Sequence, residues 1–83
     1  MYIDSMSAAL NGCTLNIAAR REFWAKHKQG GSFPVASVRD ESTDNLPWYS
    51  VIVTDYKGTE YDFTDLCEDS QEKLFSVVVE ELY

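Results

Sequence analysis

Few residues of this chain carry the chemistry that catalysis requires. His27 is the only histidine, and Cys13 and Cys67 are the only cysteines. Nucleophilic catalysis needs a serine or cysteine activated by a base, usually histidine, and a third group that orients this base. His27 stands between Lys26 and Lys28, where a solvated or loosely packed side chain is expected. The sequence therefore offers no nucleophile with a matching base.

Carboxylates, metal ligands and phosphate-binding glycines give no stronger candidate. Adjacent acids occur at Asp40-Glu41 and Glu68-Asp69, but a chain of 83 residues leaves little material for an enclosed pocket around them. One histidine and two separated cysteines do not supply a metal site. Gly30-Gly31 is not followed by the Lys-Ser/Thr of a phosphate loop. We predict no catalytic residue, no cofactor and no metal, and hence a protein that is not an enzyme.

Size and composition predict one small acidic domain over residues 1–83. A hydrophobic content of 45% is typical of globular chains and too high for a disordered one. No apolar run reaches the roughly 20 residues of a membrane span, and the first residues lack a signal-peptide pattern. We therefore expect a cytoplasmic protein without membrane contact, in which both thiols stay reduced. A homodimer is kept as an alternative, because so small a core gives modest stability.

The elements that must position any functional residue begin with a short helix. Asp4 is predicted as its N-cap, and Asn11-Gly12 is predicted as its end. Hydrophobic alternation from Cys13 to Ala19 then predicts a first strand. The overall expectation is an α+β fold, with an antiparallel sheet of about four strands in two hairpins and a C-terminal helix packed on one face.

The middle of the chain predicts a hairpin followed by a polar loop. Residues 20–28 (RREFWAKHK) fit either a helix or a strand, and periodicity does not decide between them. Gly30-Gly31 predicts a turn, and residues 33–38 predict a strand with a proline near its start. Residues 39–47 (RDESTDNLP) are rich in turn formers and predict a loop.

The last part of the chain predicts a second hairpin and the C-terminal helix. Residues 48–54 (WYSVIVT) favour a strand, residues 56–58 (YKG) a turn, and residues 59–63 (TEYDF) a return strand. The helix is expected to begin at Thr64 or Ser70 and to bury a stripe of apolar residues. This stripe comprises Leu74, Phe75, Val78, Val79 and Leu82.

Charge is distributed unevenly along the chain. Residues 1–39 carry five basic and two acidic residues, a formal +3, whereas residues 40–83 carry two basic and twelve acidic residues, a formal −10. Such a surface repels phosphate, so direct nucleic-acid binding is not expected unless residues 20–28 (RREFWAKHK) form a separate basic patch. The same acids also suit a solvated face that keeps a small domain soluble, and this interpretation stays open.

The alternative interpretation is an acidic face that binds a basic or nucleic-acid-binding protein. Its predicted members are Asp55, Glu60, Asp62, Asp65, Glu68, Asp69 and Glu72, with Asp40, Glu41 and Asp44 as a less certain loop contribution. Trp48 and Tyr49 are expected mainly in the core, with a role in binding at the rim of this face as the alternative.

Residues 40–58 contain a stretch that resembles the later strands of phage uracil-DNA glycosylase inhibitors, small acidic proteins that mimic DNA. The similar segments are DESTDN and PWYSVIVTDYKG. In that family a Glu-Ser-apolar motif engages the DNA-binding groove of the enzyme, whereas Glu41-Ser42 precedes Thr43 here. The N-terminal half shows nothing similar. The similarity is attributed to common strand composition, and membership is not inferred.

The resulting functional hypothesis is a small acidic inhibitor of the kind that phages or mobile elements encode. It would cover the nucleic-acid-binding surface of a host enzyme or defence complex with a DNA-mimicking face. Two alternatives remain. One is an immunity- or antitoxin-type protein that neutralises a basic toxin, and the other is a homo-oligomeric accessory module without inhibitory role, joined through strand edges.

Overall fold

The structure is a computed structural model that describes residues 2–43, 45 and 48–83. The described chain contains two helices, five strands and one short 3-10 turn. In chain order these are α1 (Ile3–Leu10), β1 (Thr14–Asn16), β2 (Trp24–Lys26), β3 (Ser32–Asp40), β4 (Val51–Asp55), β5 (Glu60–Asp62), the 3-10 turn (Phe63–Asp65) and α2 (Glu68–Leu82). The predicted α+β class is confirmed, with five strands where about four were expected.

The five strands form an antiparallel sheet centred on β3. The order is β1-β3-β4-β5, and β2 pairs with the first residues of β3. Val38 of β3 lies opposite Leu15 of β1 on one side and Val53 of β4 on the other. The register shifts between Val35 and Ser37, which marks a bulge in β3.

Both helices lie against one face of the sheet, which therefore carries the hydrophobic core. The alternation of side chains along each strand turns apolar residues toward the helices and polar residues such as Thr14, Asn16 and Glu60 toward solvent. α1 and α2 run in the same direction, because Tyr2 contacts Glu72 and Ala9 contacts Tyr83. The largest fully buried hydrophobic side chains are Phe63, Met6, Leu10, Ile17, Leu66 and Leu74.

The ambiguous segment 20–28 ends in a strand. Trp24–Lys26 pairs with Ser32–Pro34, so that Ala25 is buried opposite Phe33. Gly30 and Gly31 form the connecting turn with φ values of 108° and 82°, which only glycine adopts without strain. The predicted hairpin is thereby confirmed.

The predicted helix caps are corrected at both helices. α1 starts at Ile3 with Tyr2 as its cap, so Asp4 lies inside the first turn, where its Oδ1 accepts a bond from the Ser5 amide. The predicted stop is confirmed, since Asn11 adopts φ 50°. α2 starts at Glu68 rather than at Thr64 or Ser70, because a separate 3-10 turn precedes it.

Several strand limits also differ from expectation. β1 is shorter than predicted, since Cys13 and Ala19 are exposed, whereas β3 extends through Asp40 into the predicted loop. β4 begins only at Val51. In α2 the buried stripe includes Val77 and excludes Val79 and Leu82, which are 37% and 38% exposed. No helix in the described part of the chain is long and apolar enough to cross a membrane.

Candidate protein-binding surface

The acidic residues from Glu60 to Glu72 lie where β5 leads through the 3-10 turn into α2. We use the name acidic surface for the exposed acids of this region, which are Glu60, Asp62, Asp65, Glu68, Asp69 and Glu72. Glu60 and Asp62 share the solvent side of β5, as the predicted alternation requires. Asp65 lies in the 3-10 turn and not in α2, although the helix was predicted to begin as early as Thr64.

The 3-10 turn exists because Asp62 caps it. Its Oδ1 accepts hydrogen bonds from the Thr64 amide at 2.9 Å and from the Thr64 hydroxyl at 2.7 Å. An Asx-type bond of this kind replaces a ladder bond and ends the strand. Phe63 is thereby buried while the acids on either side remain in solvent.

The start of α2 is fixed to β2 by main-chain bonds. The Cys67 amide donates to the Lys26 carbonyl at 2.8 Å, and the Lys28 amide donates to the Asp65 carbonyl at 2.9 Å. The Lys26 amide donates in turn to Ser70 Oγ, a buried side chain, at 2.8 Å. The acidic surface is therefore held on ordered backbone. Lys26 and Lys28 lie at the border of the acidic surface.

Few of these exposed acids are neutralised within the molecule. Among the described residues, Asp65, Glu68 and Glu72 have no cation within ion-pair distance, although Glu72 accepts a hydrogen bond from the Tyr2 hydroxyl at 2.8 Å. Asp69 pairs with Lys73 at 3.1 Å, but both side chains are largely exposed. Exposed ion pairs of this kind contribute little to stability, so the negative charge of these acids remains exposed.

Glu60 differs, because it shares a guanidinium with a second acid. Arg39 Nη2 lies 2.7 Å from Glu60, and its Nε lies 2.7 Å from Glu41. Arg39 donates hydrogen bonds to Glu60 and Glu41, and these bonds raise the pKa of Arg39. Glu41, a predicted loop contact, is thus engaged inside the chain, and Asp44 lies outside the described residues.

Asp55 was predicted as part of the binding face, but it is buried and serves the β4–β5 turn. Its carboxylate accepts bonds from the Lys57 amide at 2.9 Å, the Thr59 amide at 3.0 Å and the Tyr61 hydroxyl at 3.1 Å. Burial acts to raise the pKa of Asp55, and the hydrogen bonds outweigh it and lower the pKa below its ordinary value. Asp55 therefore holds the hairpin and does not add to the surface charge.

Asp40 also stabilises the fold through hydrogen bonds. Its carboxylate accepts bonds from Ser7 Oγ at 3.0 Å, the Gly12 amide at 2.9 Å and the Ser42 amide at 3.0 Å. Burial opposes ionisation, but these bonds prevail and lower the pKa of Asp40. Asp40 therefore joins the end of α1 to the chain that leaves β3.

The uneven charge of the sequence is partly balanced in space. Arg21 Nη2 lies 2.6 Å from Glu81 and Arg21 Nη1 lies 3.0 Å from Glu80, while Arg20 contacts Glu81 at 3.1 Å. These contacts, led by Arg21, lower the pKa of Glu81. The basic arm of residues 20–21 is therefore neutralised by the end of α2, and the free negative charge concentrates at its beginning.

Trp48 and Tyr49 lie outside the core, and the expectation of core packing is wrong. Their side chains are 62% and 55% exposed, because β4 begins only at Val51. Trp24 and Tyr56 are also more than half exposed and were not predicted as surface aromatics. Trp24 is exposed because the next residue of β2, Ala25, points into the core, so that the residues on either side of Ala25 point toward solvent.

His27 and the cysteines form no reactive group. His27 Nδ1 accepts a bond from the Gln29 amide at 3.1 Å, and the ring contacts Tyr61 edge-on. Cys13 is exposed and Cys67 half-buried, and both thiols are free. Across residues 2–43, 45 and 48–83, no three His, Cys, Asp or Glu side chains are grouped as metal ligands would be.

These features define a small α+β protein with an antiparallel five-stranded sheet, two helices on one face and an acidic surface at the start of α2. Comparison of the chain with protein families, curated proteins and solved structures finds no match.

Proposed function

We propose that the protein binds a basic, nucleic-acid-binding protein through the acidic surface and thereby blocks access of nucleic acid to that partner. In this role it is an inhibitor that presents negative charge in place of phosphate. A phage or mobile element that must disable a host enzyme or defence complex is the setting in which such an inhibitor is expected.

The observation that carries this proposal is the contrast between paired and unpaired acids. Glu80, Glu81 and Glu41 each contact an arginine of the same chain. Asp65 and Glu68 are exposed and contact no cation among the described residues. Concentrated like charge costs self-repulsion, which a protein can recover when an oppositely charged partner covers the charge.

The spacing of the acids suits a partner that binds phosphates. Two residues along a strand are about 6.6–6.8 Å apart, which sets the separation of Glu60 and Asp62. Glu68 and Glu72 stand one helical turn apart, with side chains about 5–6 Å from each other. A cationic groove that accommodates regularly spaced phosphates would find regularly spaced carboxylates here. Such complementarity chiefly accelerates association and selects the partner.

Affinity capture at two salt concentrations tests the proposal. The protein is immobilised and a host lysate is passed over it at about 50 mM and about 300 mM salt, because screening shortens the reach of exposed charges. We expect a nucleic-acid-binding protein to be retained at the lower salt and released at the higher. The purified partner should then lose its bound labelled DNA or RNA when the protein is added. Retention of no such protein, or undisturbed nucleic-acid binding, would contradict the proposal.

A matched pair of variants separates the acidic surface from net charge. Glu68→Gln with Glu72→Gln removes two charges from the acidic surface, and the amide oxygen introduced by the second substitution can still accept the bond from the Tyr2 hydroxyl. Glu22→Gln with Glu80→Gln removes two charges elsewhere. We expect the first variant to lose most of the retention and the second to keep it. Equal losses would show that only net charge matters.

A further inference from the structure

A cleft separate from the acidic surface runs along α1, from Asp4 in its first turn to Asn11 and Gly12 at its C-terminal end. Its volume is about 650 Å³, within the usual range of about 300–1,000 Å³ for binding pockets. The cleft lies between α1 and the chain that flanks β3 and β4. Among the described residues, its lining includes the carboxylates of Asp4 and Asp40, the rings of Trp48 and Tyr49, and small residues such as Ser7 and Ser42.

One carboxylate of the cleft is held in place and ionised. Ser7, Gly12 and Ser42 donate three hydrogen bonds to Asp40. The Ser42 hydroxyl is a further neighbour of this carboxylate, and it also favours the ionised form. The lowered pKa of Asp40 keeps this group negative at neutral pH. Its orientation is therefore fixed before any ligand arrives.

The rest of the cleft also favours a cation. Asp4 contributes a second carboxylate from an exposed position on α1. Asn11 and Gly12 mark the C-terminal end of the helix, where the helix dipole is negative. No lysine or arginine is among the described residues that line the cleft. An anion would meet only like charge there.

The aromatic rings select among cations. Trp48 and Tyr49 are 62% and 55% exposed and line the cleft. A cation within about 6 Å of such a ring is attracted by its quadrupole. A guanidinium is planar, stacks on aromatic rings and presents five donors, whereas an ammonium is a compact and strongly hydrated point charge.

We propose that this cleft receives the guanidinium of an arginine side chain from the partner protein, between the carboxylates of Asp4 and Asp40 and the rings of Trp48 and Tyr49. The inference rests on the proposed function in one respect, namely that the partner is basic. It assigns to the partner an arginine that inserts beside α1, in addition to the charges that face the acidic surface. A central residue of this kind would supply affinity, whereas the exposed acids supply attraction.

The test uses the intact protein and a small arginine probe. Trp24→Phe leaves Trp48 as the only tryptophan, so its fluorescence reports on the cleft. Nα-acetyl-arginine amide is titrated to about 100 mM, and the backbone amides of Gly12 and Ser42 are followed by NMR. We expect saturable changes at both amides and in the fluorescence. Because a charged hydrogen bond is worth about 1.5–3 kcal/mol, the uncharged citrulline analogue should bind at least about tenfold more weakly.

Two variants connect the response to the lining residues. Asp4→Asn removes one carboxylate whose only hydrogen bond among the described residues is local, and it should weaken binding without altering the fold. Trp48→Ala should abolish the selectivity for arginine over the lysine analogue. Glu22→Gln serves as the charge control and should bind the probe as the parent does.

Failure of the arginine site and failure of the inhibitor function give different results. No change at the cleft, or an equal response to citrulline or lysine analogues, would overturn the arginine site and leave the acidic surface to its own test. Self-association that covers Trp48 in sedimentation experiments would also overturn it, because the occupant would then be a second copy. Arginine binding without retention of any nucleic-acid-binding protein would leave the cleft assigned and reject the inhibitor.

Discussion

Carboxylates serve different purposes at the ends of β3 and β4 and at the start of α2. Asp40 and Asp55 each receive three hydrogen bonds from the chain around them, and both have a lowered pKa. Glu68 and Asp69, at the start of α2, are exposed, and Asp69 has only an exposed lysine as partner. The first pair stabilises loops and turns, and the second pair is available to a partner.

The acid content overstates the free charge of this protein. Arg20 and Arg21 neutralise the end of α2, and Arg39 shares its charge between Glu41 and Glu60. The negative charge that remains is therefore local rather than general. A stability measurement should rank Asp55 above the acids at the start of α2, and a measurement of binding through the acidic surface should rank them in the opposite order.

Replacement of Asp40 should have the largest effect on stability. Asp40→Ala removes the acceptor of the Ser7, Gly12 and Ser42 donors together. Hydrogen bonds to a charged group contribute about 1.5–3 kcal/mol, and we expect the free energy of unfolding in urea to fall by about that amount. Glu41→Ala is the neighbouring control and should change it by no more than about 1 kcal/mol, as exposed pairs do. Equal losses would remove the distinction between the two kinds of acid.

Acid pH should lower the free energy of unfolding, because it protonates the carboxylates that hold the fold. The folded pKa of Asp40 lies below its unfolded value of 3.8, so its stabilisation is present above about pH 4 and is lost as the pH falls through the folded pKa. The folded pKa of Asp55 is also lowered, so its stabilisation is likewise lost as the pH falls. Asp40→Asn should reduce the loss of unfolding free energy between pH 5 and pH 2 by about 1 kcal/mol, the difference between charged and neutral hydrogen bonds. An unchanged pH profile would show that the Asp40 bonds do not depend on its charge.

The sequence predicted the features that depend on neighbouring residues. The turn at Gly30-Gly31, the turn at Gly58 and the helix end at Asn11 all follow from backbone conformations that few residues adopt, and all occur. The role of Asp55 could also have been found, because an aspartate that precedes a turn ending in glycine commonly accepts bonds from the following amides. These signals act over fewer than about six residues.

The features that the sequence did not predict depend on distant residues. The donors of Asp40 include Ser7 and Gly12, which lie 33 and 28 positions away, so no local pattern marks this carboxylate as structural. Trp48 was expected mainly in the core because it belongs to a run of aromatic and β-branched residues, but it is exposed. The composition of such a run does not determine where strand pairing begins, and β4 begins at Val51. Six of the seven acids predicted for the binding face are exposed and Asp55 is buried. Which of the six stay unpaired depends on ion pairs that form only in the folded chain.

The acids at the start of α2 should contribute little to stability. Glu68→Gln with Asp69→Asn removes two charges from the positive end of the helix dipole, worth about 0.3–1 kcal/mol each. We expect a small decrease in the free energy of unfolding and a large decrease in retention of a basic partner. A stability loss as large as that of Asp40→Ala would indicate that these acids, too, hold the fold.

The smallest effect on stability is expected from substitution of Lys73, and the direction in which it changes affinity for the partner is informative. Lys73→Met breaks the ion pair with Asp69 on one face of α2, and such an i,i+4 pair contributes about 0.3–0.5 kcal/mol. Because the substitution also removes a positive charge beside the acidic surface, stability should fall slightly while affinity for the basic partner rises. Lys57→Met, at the β4–β5 turn, removes the same charge away from α2 and should leave affinity nearly unchanged. Lower affinity after Lys73→Met would mean that Asp69 binds only when Lys73 orients it.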